Sequence, residues 1–377
     1  MTYIARNDPS VVGRWWYEVD RGLIWTVLIL ILAGWMVMFT GSAQEALQDD
    51  QPLLNFSARK ASFVVAGLIL MFGASMLEPE QIRQFTLPGF ALAILFLLSI
   101  FVFGVSQNGA TRWVGIPGLP FYPQPTEFAK PFLVLTISLC LSQAKKWGFS
   151  RAFWAATAAF GTVVALVVMQ PDISQALFLG LVFISLVFLA GIAFEWVLLL
   201  IASGISALGV AYLSLDHVRY RIDGFLARTR GTDGNRRDHN DMAEEAFRNG
   251  GVEGLGLGEG RLKTAIPEAR NDMPLAIIGE EMGLIGALVV FAFFLMVWTR
   301  TQARLALITT DFQRLAAIGL AFLLLAQALI NIFYTVGLIP TTGITLPFFS
   351  DGGSSLIASA LTVGLLLALT RQRGANL

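Results

Sequence analysis

Ten long apolar stretches constrain the fold of this chain more than any other feature, because each approaches the roughly 20 residues that cross a bilayer. A backbone in lipid must satisfy its own polar groups, so these stretches are predicted to be helices. Hydrophobic residues make up 55% of the chain and charged residues 14%, whereas soluble domains average about 25% charged residues. The predicted fold class is therefore an all-α polytopic membrane protein with ten transmembrane helices. The predicted spans are 22–41, 61–77, 86–104, 127–143, 152–170, 173–191, 193–214, 275–298, 313–337 and 353–370.

Positive charge predicts the orientation of these spans, because short cytoplasmic loops are enriched in Lys and Arg. With the N-terminus inside, the cytoplasmic segments hold twelve Lys and Arg side chains. The short outer loops hold three, which are Arg59, Lys60 and Arg112. We therefore predict an N-in, C-in topology.

One large outer loop is predicted between spans seven and eight, at about 215–274. It is rich in Gly and Asp and carries ten of the Lys and Arg residues. A disordered linker is one interpretation of this composition. The return through Pro267 directly into span eight argues against it. Around this loop we divide the chain into a cytoplasmic N-terminal segment, 1–21, and a single transmembrane domain, 22–377.

Cysteine and histidine usage excludes some kinds of site. The single cysteine, Cys140, lies in an apolar run, so neither a disulfide framework nor a thiolate metal site is predicted. The two histidines, His217 and His239, are too few for a histidine-rich metal site.

Charged residues near lipid are costly, so they mark either a function or a buried pair. In the stretch 108–132, Glu127 and Lys130 are spaced i, i+3 and share a helix face. A structural ion pair that anchors the helix end is the alternative to a functional role. Arg112 is the only basic residue of this outer loop. Asp172, in the turn before span six, is predicted at the same face, with a simple helix cap as its alternative.

Acidic residues also surround the start of span eight. Asp272 lies at the outer mouth of this span, where the helix dipole would favour a carboxylate even as a plain cap. Glu280 and Glu281 follow about two turns inside, and at least one of them should face the bundle interior. Before span ten, the loop that ends in Ser354 and Ser355 offers hydroxyls and backbone N–H groups to an anion, or forms a plain turn.

By the predicted topology these four places share the outer face of the membrane. Together they offer a cationic side chain, Arg112, at least two carboxylates, Asp172 and Asp272, and a hydroxyl-rich loop. Such a site suits a lipid-linked anionic substrate, whose tail lies between helices and whose head group lies at the surface.

The same four stretches, in this order, resemble the SEDS (shape, elongation, division and sporulation) family of polytopic membrane proteins. "GATRWVGIPGLPFYPQPTEFAK" is similar to its G-A-x-R-W…Q-P-S-E-x-x-K block, and "QPDISQAL" to its Q-P-D-x-G-[TQ] turn. "NGGVEGLGLGEGRLKTAIPEARNDMPLAIIGEEMGLIGAL" resembles its glycine-rich loop, and "LIPTTGITLPFFSDGGSSL" resembles its L-x-P-x-x-G-x-x-L-P-x-x-S-Y-G-G-S-S signature. The resemblance covers essentially the whole chain. Thr345 and "NGGVEGLGLGEGR" favour the division branch, the FtsW type, over the elongation branch.

The resemblance implies a peptidoglycan glycosyltransferase in the bacterial cytoplasmic (inner) membrane. Such enzymes polymerise lipid II, a disaccharide-pentapeptide on undecaprenyl pyrophosphate, and septal wall synthesis is the process implied for the division branch. The implied partners are a class B penicillin-binding protein, divisome proteins and membrane lipid, and no nucleic acid. Dependence on a divalent metal, Mg²⁺ or Mn²⁺, is implied without identifying its ligands, and no organic cofactor is implied.

Roles for individual residues follow from the same resemblance. Asp272 matches the family's essential loop aspartate, which implies a general base for the acceptor sugar 4-hydroxyl. Arg112 and Lys130 match basic positions suited to the leaving pyrophosphate, and Glu127 is expected to tune Lys130. The further substrate-binding and supporting positions are Asp172, Ser354, Ser355, Glu280 and Glu281.

The chain departs from the family pattern at five positions. The family's His-Thr before the aspartate is Arg270-Asn271, and Met273 replaces an aromatic residue. Asp351 replaces the signature Tyr, and Ser174 replaces the Gly of the turn.

Two other functions compete with the enzyme on sequence grounds. A flippase for a lipid-linked precursor would use buried charges such as Glu280 and Glu281 along a path through the membrane. A non-enzymatic scaffold that activates a penicillin-binding protein would not need Asp272.

Overall fold

The structure, a computed structural model, is predominantly helical and describes residues 10–48, 53–107, 110–116, 118, 121–230, 239–261, 273–350 and 352–372. Every predicted span overlaps a helix. These ten helices are α2 (Arg21–Gln48), α3 (Leu53–Ser75), α4 (Pro79–Phe103), α5 (Pro125–Ser142), α7 (Phe149–Met169), α8 (Ile173–Leu189), α9 (Phe194–Ser214), α12 (Pro274–Leu305), α13 (Asp311–Thr335) and α14 (Gly353–Leu369). Four shorter helices within the described ranges are α1 (Val11–Glu18), α6 (Ala144–Trp147), α10 (Asp216–Thr229) and α11 (His239–Gly250).

Within the described residues, seven helices are long and apolar enough to cross a membrane, and α8 and α14 are shorter apolar helices. This is the pattern of a multi-pass membrane protein. The total of ten spans and the inward N-terminus stay predictions.

Helix α13 lies at the centre of the bundle and α9 at its edge. In the most apolar 18-residue stretch of each helix, 67% of α13 is buried inside the bundle but only 11% of α9. Helix α5 packs against α4, α7 and α13, and α14 packs along α3. A Cβ on Gly319 of α13 would meet Val134 of α5 at 2.7 Å and Leu186 of α8 at 2.8 Å. The glycine therefore lets three helices approach closely, as small residues do in membrane bundles.

The short helix α1 joins both ends of the chain at one end of the bundle. Its Trp15 donates a hydrogen bond from Nε1 to Ser75 Oγ at 3.0 Å, at the end of α3. Its Glu18 pairs with Arg371, just beyond α14, with 3.0 Å between Oε2 and Nη2. We call this the N-terminal end of the bundle and the opposite one the distal end. That the N-terminal end faces the cytoplasm stays a prediction.

Asp20 connects this end of the bundle to α12. Its carboxylate accepts hydrogen bonds from Arg300 at 2.9 Å, Arg304 at 3.2 Å and the backbone N–H of Leu23 at 3.0 Å. A Cβ on Gly22 would overlap the Arg300 guanidinium. The small residue thus leaves room for the arginine, and Asp20 both caps α2 and holds the end of α12.

We expect Asp20→Asn to destabilise the protein by about 2 kcal/mol, because asparagine keeps the Oδ1 acceptor of the cap but loses the negative charge and the acceptor for Arg304. The measurement is the midpoint of thermal unfolding in detergent. Glu80→Gln is the matched control, since Glu80 is 63% exposed and pairs with an exposed Arg83 at 3.6 Å. Equal midpoints for the two variants would contradict this role of Asp20.

Two features differ from the predicted local structure and leave the predicted topology untested. Arg59 and Lys60, expected in a short outer loop, lie within α3. Lys60 is buried and donates to the Met38 carbonyl at 3.3 Å, so a backbone acceptor satisfies its ammonium inside the bundle. The second difference is an antiparallel hairpin, β1 (Gly104–Gln107) and β2 (Ala110–Val114), between α4 and α5.

The predicted outer loop contains helices α10 and α11 among its described residues. An ion-pair network joins the two helices, because Arg228 of α10 binds Asp241 at 2.9 Å and Glu244 at 2.6 Å. The described parts of the loop are therefore folded, and the interpretation as a disordered linker is wrong for them.

Candidate active site

The hairpin and the turn before α8 bring Arg112 and Asp172 together at the distal end. The distance between Arg112 Nε and Asp172 Oδ2 is 3.2 Å, and the two side chains are 15% and 3% exposed. Asp172 also caps α8, because its Oδ1 accepts the backbone N–H of Gln175 at 3.3 Å. The helix cap, given as the alternative role of Asp172, is present, and Asp172 lies beside Arg112. That both lie at the outer face of the membrane stays a prediction. Burial raises the pKa of the Asp172 carboxyl, which lies outside both neighbouring helices, and the positive charge of Arg112 acts in the opposite direction.

Glu127 and Lys130 form the predicted ion pair on the first turns of α5. Lys130 Nζ lies 2.7 Å from Glu127 Oε1, and both side chains are 2% exposed. Pro125 begins the helix, where a missing N–H costs nothing. Lys130 Nζ also lies 5.4 Å from the centre of the Phe178 ring on α8. Phe178 belongs to the same helix that Asp172 caps, so both ion pairs lie beside the start of α8. In this region two cations balance two carboxylates.

An apolar cleft of about 250 Å³ opens beside the Asp172 turn. Its lining comes from α8, α9, α10, α13 and the loop before α14, and it includes Pro171 and Ile173. Arg221 and His217 of α10 supply polar groups at the same cleft. Arg221 Nη1 donates to Ser174 Oγ at 3.4 Å. Ser174, which stands at a position that is glycine in the family pattern, thus connects α8 to α10.

The signature serines lie at the start of α14 and are buried. Ser355 Oγ donates to Thr345 Oγ1 at 2.9 Å, and Ser350 Oγ accepts the backbone N–H of Leu346 at 2.8 Å. The first bond joins the loop between α13 and α14 to the start of α14, and the second joins two residues within that loop. Ser354 lies in the first turn of α14 and is 6% exposed.

Glu280 and Glu281 lie in the distal part of α12, where both are buried, although the sequence predicted this only for at least one of them. A Cβ on Gly260 would lie 2.8 Å from Glu280 Oε2 and 3.2 Å from Glu281 Oε1. The two carboxylates therefore face the glycine-rich turn that follows α11. Met273, also buried, is the N-cap position of α12.

The predicted catalytic Asp272 lies outside the described residues, as do Arg270, Asn271 and Asp351. Their roles stay predictions. A divalent metal was also expected. Among the residues that the structure describes, three or more His, Cys, Asp or Glu side chains nowhere come together as a metal site. This described part supplies no ligand set, so no step below is derived through a metal.

The hairpin and Arg221 were not predicted, although the sequence carries a signal for each. Asn108-Gly109, between the two strand segments, is a strong hairpin signal. In the predicted loop, apolar residues at Val218 and Ile222 recur at the i, i+4 spacing of a helix. That helix carries Arg221 to the cleft.

Comparison with known proteins assigns the chain to one family. The family model FtsW/RodA/SpoVE, described as "Cell cycle protein", matches residues 21–375. The "Probable peptidoglycan glycosyltransferase FtsW" of Caulobacter vibrioides (strain NA1000 / CB15N) is 35% identical over 378 residues. That match covers 98% of this chain and 93% of the relative.

Solved structures agree on the fold. A chain from the work reported as "Structural coordination of polymerization and crosslinking by a peptidoglycan synthase complex" is 25% identical, with a TM-score of 0.73. The match covers 93% of this chain and 97% of that one. The rod shape determining protein RodA of Thermus thermophilus is 24% identical with a TM-score of 0.67, over 94% and 97% of the two chains. The resemblance inferred from the four motifs is confirmed.

Proposed function

This chain belongs to the FtsW/RodA/SpoVE family of cell cycle proteins, and we propose that it is a peptidoglycan glycosyltransferase of the division type. It polymerises lipid II into glycan strands at the outer face of the cytoplasmic membrane, for septal wall synthesis. The observation that carries the proposal is the pairing of two cations with two carboxylates at the distal end, beside an apolar cleft. A polar head group and an isoprenoid tail need this combination.

The proposed reaction joins two lipid-linked sugars. Asp272 takes the proton from the acceptor 4-hydroxyl, whose oxygen attacks the anomeric carbon of the donor. The bond from that carbon to the lipid pyrophosphate breaks, with inversion, and the pyrophosphate leaves with the electron pair. Donor binding in the cleft places the tail against apolar side chains and the pyrophosphate near Arg112.

The two cations have different roles in this proposal. Arg112 keeps 15% exposure, so its guanidinium is assigned to direct contact with the leaving pyrophosphate. Lys130 is 2% exposed and is held by Glu127. It contributes a fixed positive charge in a region of low dielectric, where such charges act strongly on a developing anion. Asp172 keeps the Arg112 guanidinium in place.

A class B penicillin-binding protein is the proposed partner, together with other divisome proteins. The support is the likeness to a chain from the structural work on a peptidoglycan synthase complex that coordinates polymerisation and cross-linking. A divalent ion belongs to the proposal as well. Mg²⁺ usually binds one or two carboxylates together with substrate phosphates.

Polymerisation of labelled lipid II tests the proposed function. The protein is purified with its cognate class B penicillin-binding protein and incubated with lipid II and Mg²⁺ or Mn²⁺, and glycan length is read on a gel. We expect a ladder of glycan strands. Lipid II that stays monomeric with the intact complex would overturn the proposal. Transbilayer movement of lipid II in vesicles, without polymer, would favour the flippase in its place.

A further inference from the structure

Helix α12 is interrupted within the bundle. Gly283 has φ 67° and ψ −170°, a backbone conformation that is not helical and that favours glycine. The break divides α12 into a distal half, Pro274–Met282, and the longer remainder that ends near Asp20. All eight residues 274–281 are buried, whereas Leu284 and Ile285, directly after the break, are exposed. The distal half is therefore enclosed by protein except at Met282, its last residue, which is exposed.

A continuous helix would bond the N–H of Leu284 to the carbonyl of Glu280, and the N–H of Ile285 to the carbonyl of Glu281. The break removes both bonds. Instead, Glu280 O accepts from Leu255 N at 2.9 Å, and Glu281 O accepts from Gly256 N at 3.0 Å. The glycine-rich turn after α11 thus satisfies both freed carbonyls.

The same turn also satisfies the two freed donors. Leu284 N donates to Gly251 O at 3.0 Å, and Ile285 N donates to Val252 O at 3.3 Å. Four bonds to the segment 251–256 thus pair backbone groups on both sides of the break. We call this segment the backbone clip. Irregular backbone at membrane depth requires such partners from the protein.

Glycines make the clip sterically feasible. A Cβ on Gly254 would overlap the Glu281 carbonyl, and a Cβ on Gly283 would overlap the Val252 carbonyl. By contrast, Gly258 lies in the same turn with open space around its Cβ direction. The φ angles of Gly254 and Gly258 are 89° and 91°, so an alanine would be strained equally at both.

We propose that the backbone clip is a positioning device for glycosyl transfer, and that Gly254 and Gly283 are positioning residues. By bonding both sides of the break, the clip holds the distal half of α12 as a separate unit at a defined angle. That half begins at Pro274, two residues after Asp272 in the sequence. The clip thereby fixes the position of Pro274, the point at which the chain segment that contains the proposed base, Asp272, joins α12. The inference rests on the proposed function only for its catalytic consequence.

Amide hydrogen exchange tests the clip itself, independently of activity. In the wild-type protein in detergent, we expect the amides of Leu255, Gly256, Leu284 and Ile285 to exchange more slowly than those of Leu257 and Gly258. Gly254→Ala should accelerate exchange at the four amides, and Gly258→Ala should not. Fast exchange of the four amides in the wild-type protein would overturn the proposal, even if Gly254→Ala failed to fold.

Turnover then tests the positioning role. In the lipid II assay, we expect Gly254→Ala to lower kcat on the order of tenfold to a hundredfold, the cost of a small misplacement of reacting groups. KM for lipid II should stay close to that of Gly258→Ala, and both variants are assayed below their thermal midpoints, because Gly254→Ala also weakens the hydrogen bonds of the clip. Faster exchange with an unchanged kcat would overturn the positioning role and leave the proposed function intact. A wild-type complex that forms no polymer would refute the proposed function, while the exchange data would still decide whether the clip exists.

Discussion

Asp272→Asn is expected to abolish lipid II polymerisation while leaving the protein folded. Asparagine has nearly the same shape as aspartate but cannot accept the proton of the acceptor hydroxyl. General base catalysis contributes on the order of 10²–10⁴ in rate, so the loss should bring strand synthesis below detection on a gel. The measurement is glycan length for wild type and variant, each purified with the same penicillin-binding partner.

Asp216→Asn is the matched control for this variant. Asp216 lies at the start of α10 in the same predicted outer loop, and its side chain is fully exposed. The control should polymerise lipid II at the wild-type rate. A normal ladder from Asp272→Asn would remove Asp272 from the mechanism. Loss of polymer in both variants would mean that the loop tolerates no change, which also contradicts a specific role for Asp272.

Lys130→Met is expected to destabilise the protein by about 3–5 kcal/mol, because it leaves the Glu127 carboxylate buried without its cation. Both side chains are 2% exposed and 2.7 Å apart, so water cannot replace the lost partner. The measurement is the midpoint of thermal unfolding in detergent. An unchanged midpoint would show that the buried pair does not stabilise α5.

The double variant Glu127→Leu with Lys130→Met separates stability from function. Apolar side chains of similar volume remove both charges together, and such replacements of buried pairs are often neutral or stabilising. The thermal midpoint should return to the wild-type value, and polymerisation should be lost, because the double variant has no fixed positive charge near the pyrophosphate. A double variant that polymerises lipid II normally would make the pair purely structural.

Local spacing was sufficient to predict part of the candidate site. Glu127 and Lys130 lie within one helical turn, and Asp172 caps the helix that follows it, so both contacts depend on fewer than four residues of chain. The pairing of Arg112 with Asp172 was predicted only as a shared face. It requires the hairpin to turn Arg112 towards α8, and a periodicity argument does not contain that geometry.

Long-range contacts explain where sequence reasoning failed. Lys60 was assigned to an outer loop just before span 61–77, but it lies within α3, and a carbonyl 22 residues away accepts its hydrogen bond. The break at Gly283 was missed because the apolar pattern continues on both sides of it. The replacement bonds come from the clip, about thirty residues earlier, and hydrophobic periodicity carries no trace of such partners.

The closure of the N-terminal end by Glu18 and Arg371 has a consequence for biogenesis. The two residues are 353 positions apart, so their contact cannot form until the last helix has entered the membrane. Until then, α1 lacks its C-terminal partner, although its Trp15 can already meet the end of α3. A ribosome that stalls before α14 therefore leaves Glu18 without this arginine partner. The contact between Glu18 and Arg371 therefore forms only after α14 has joined the bundle.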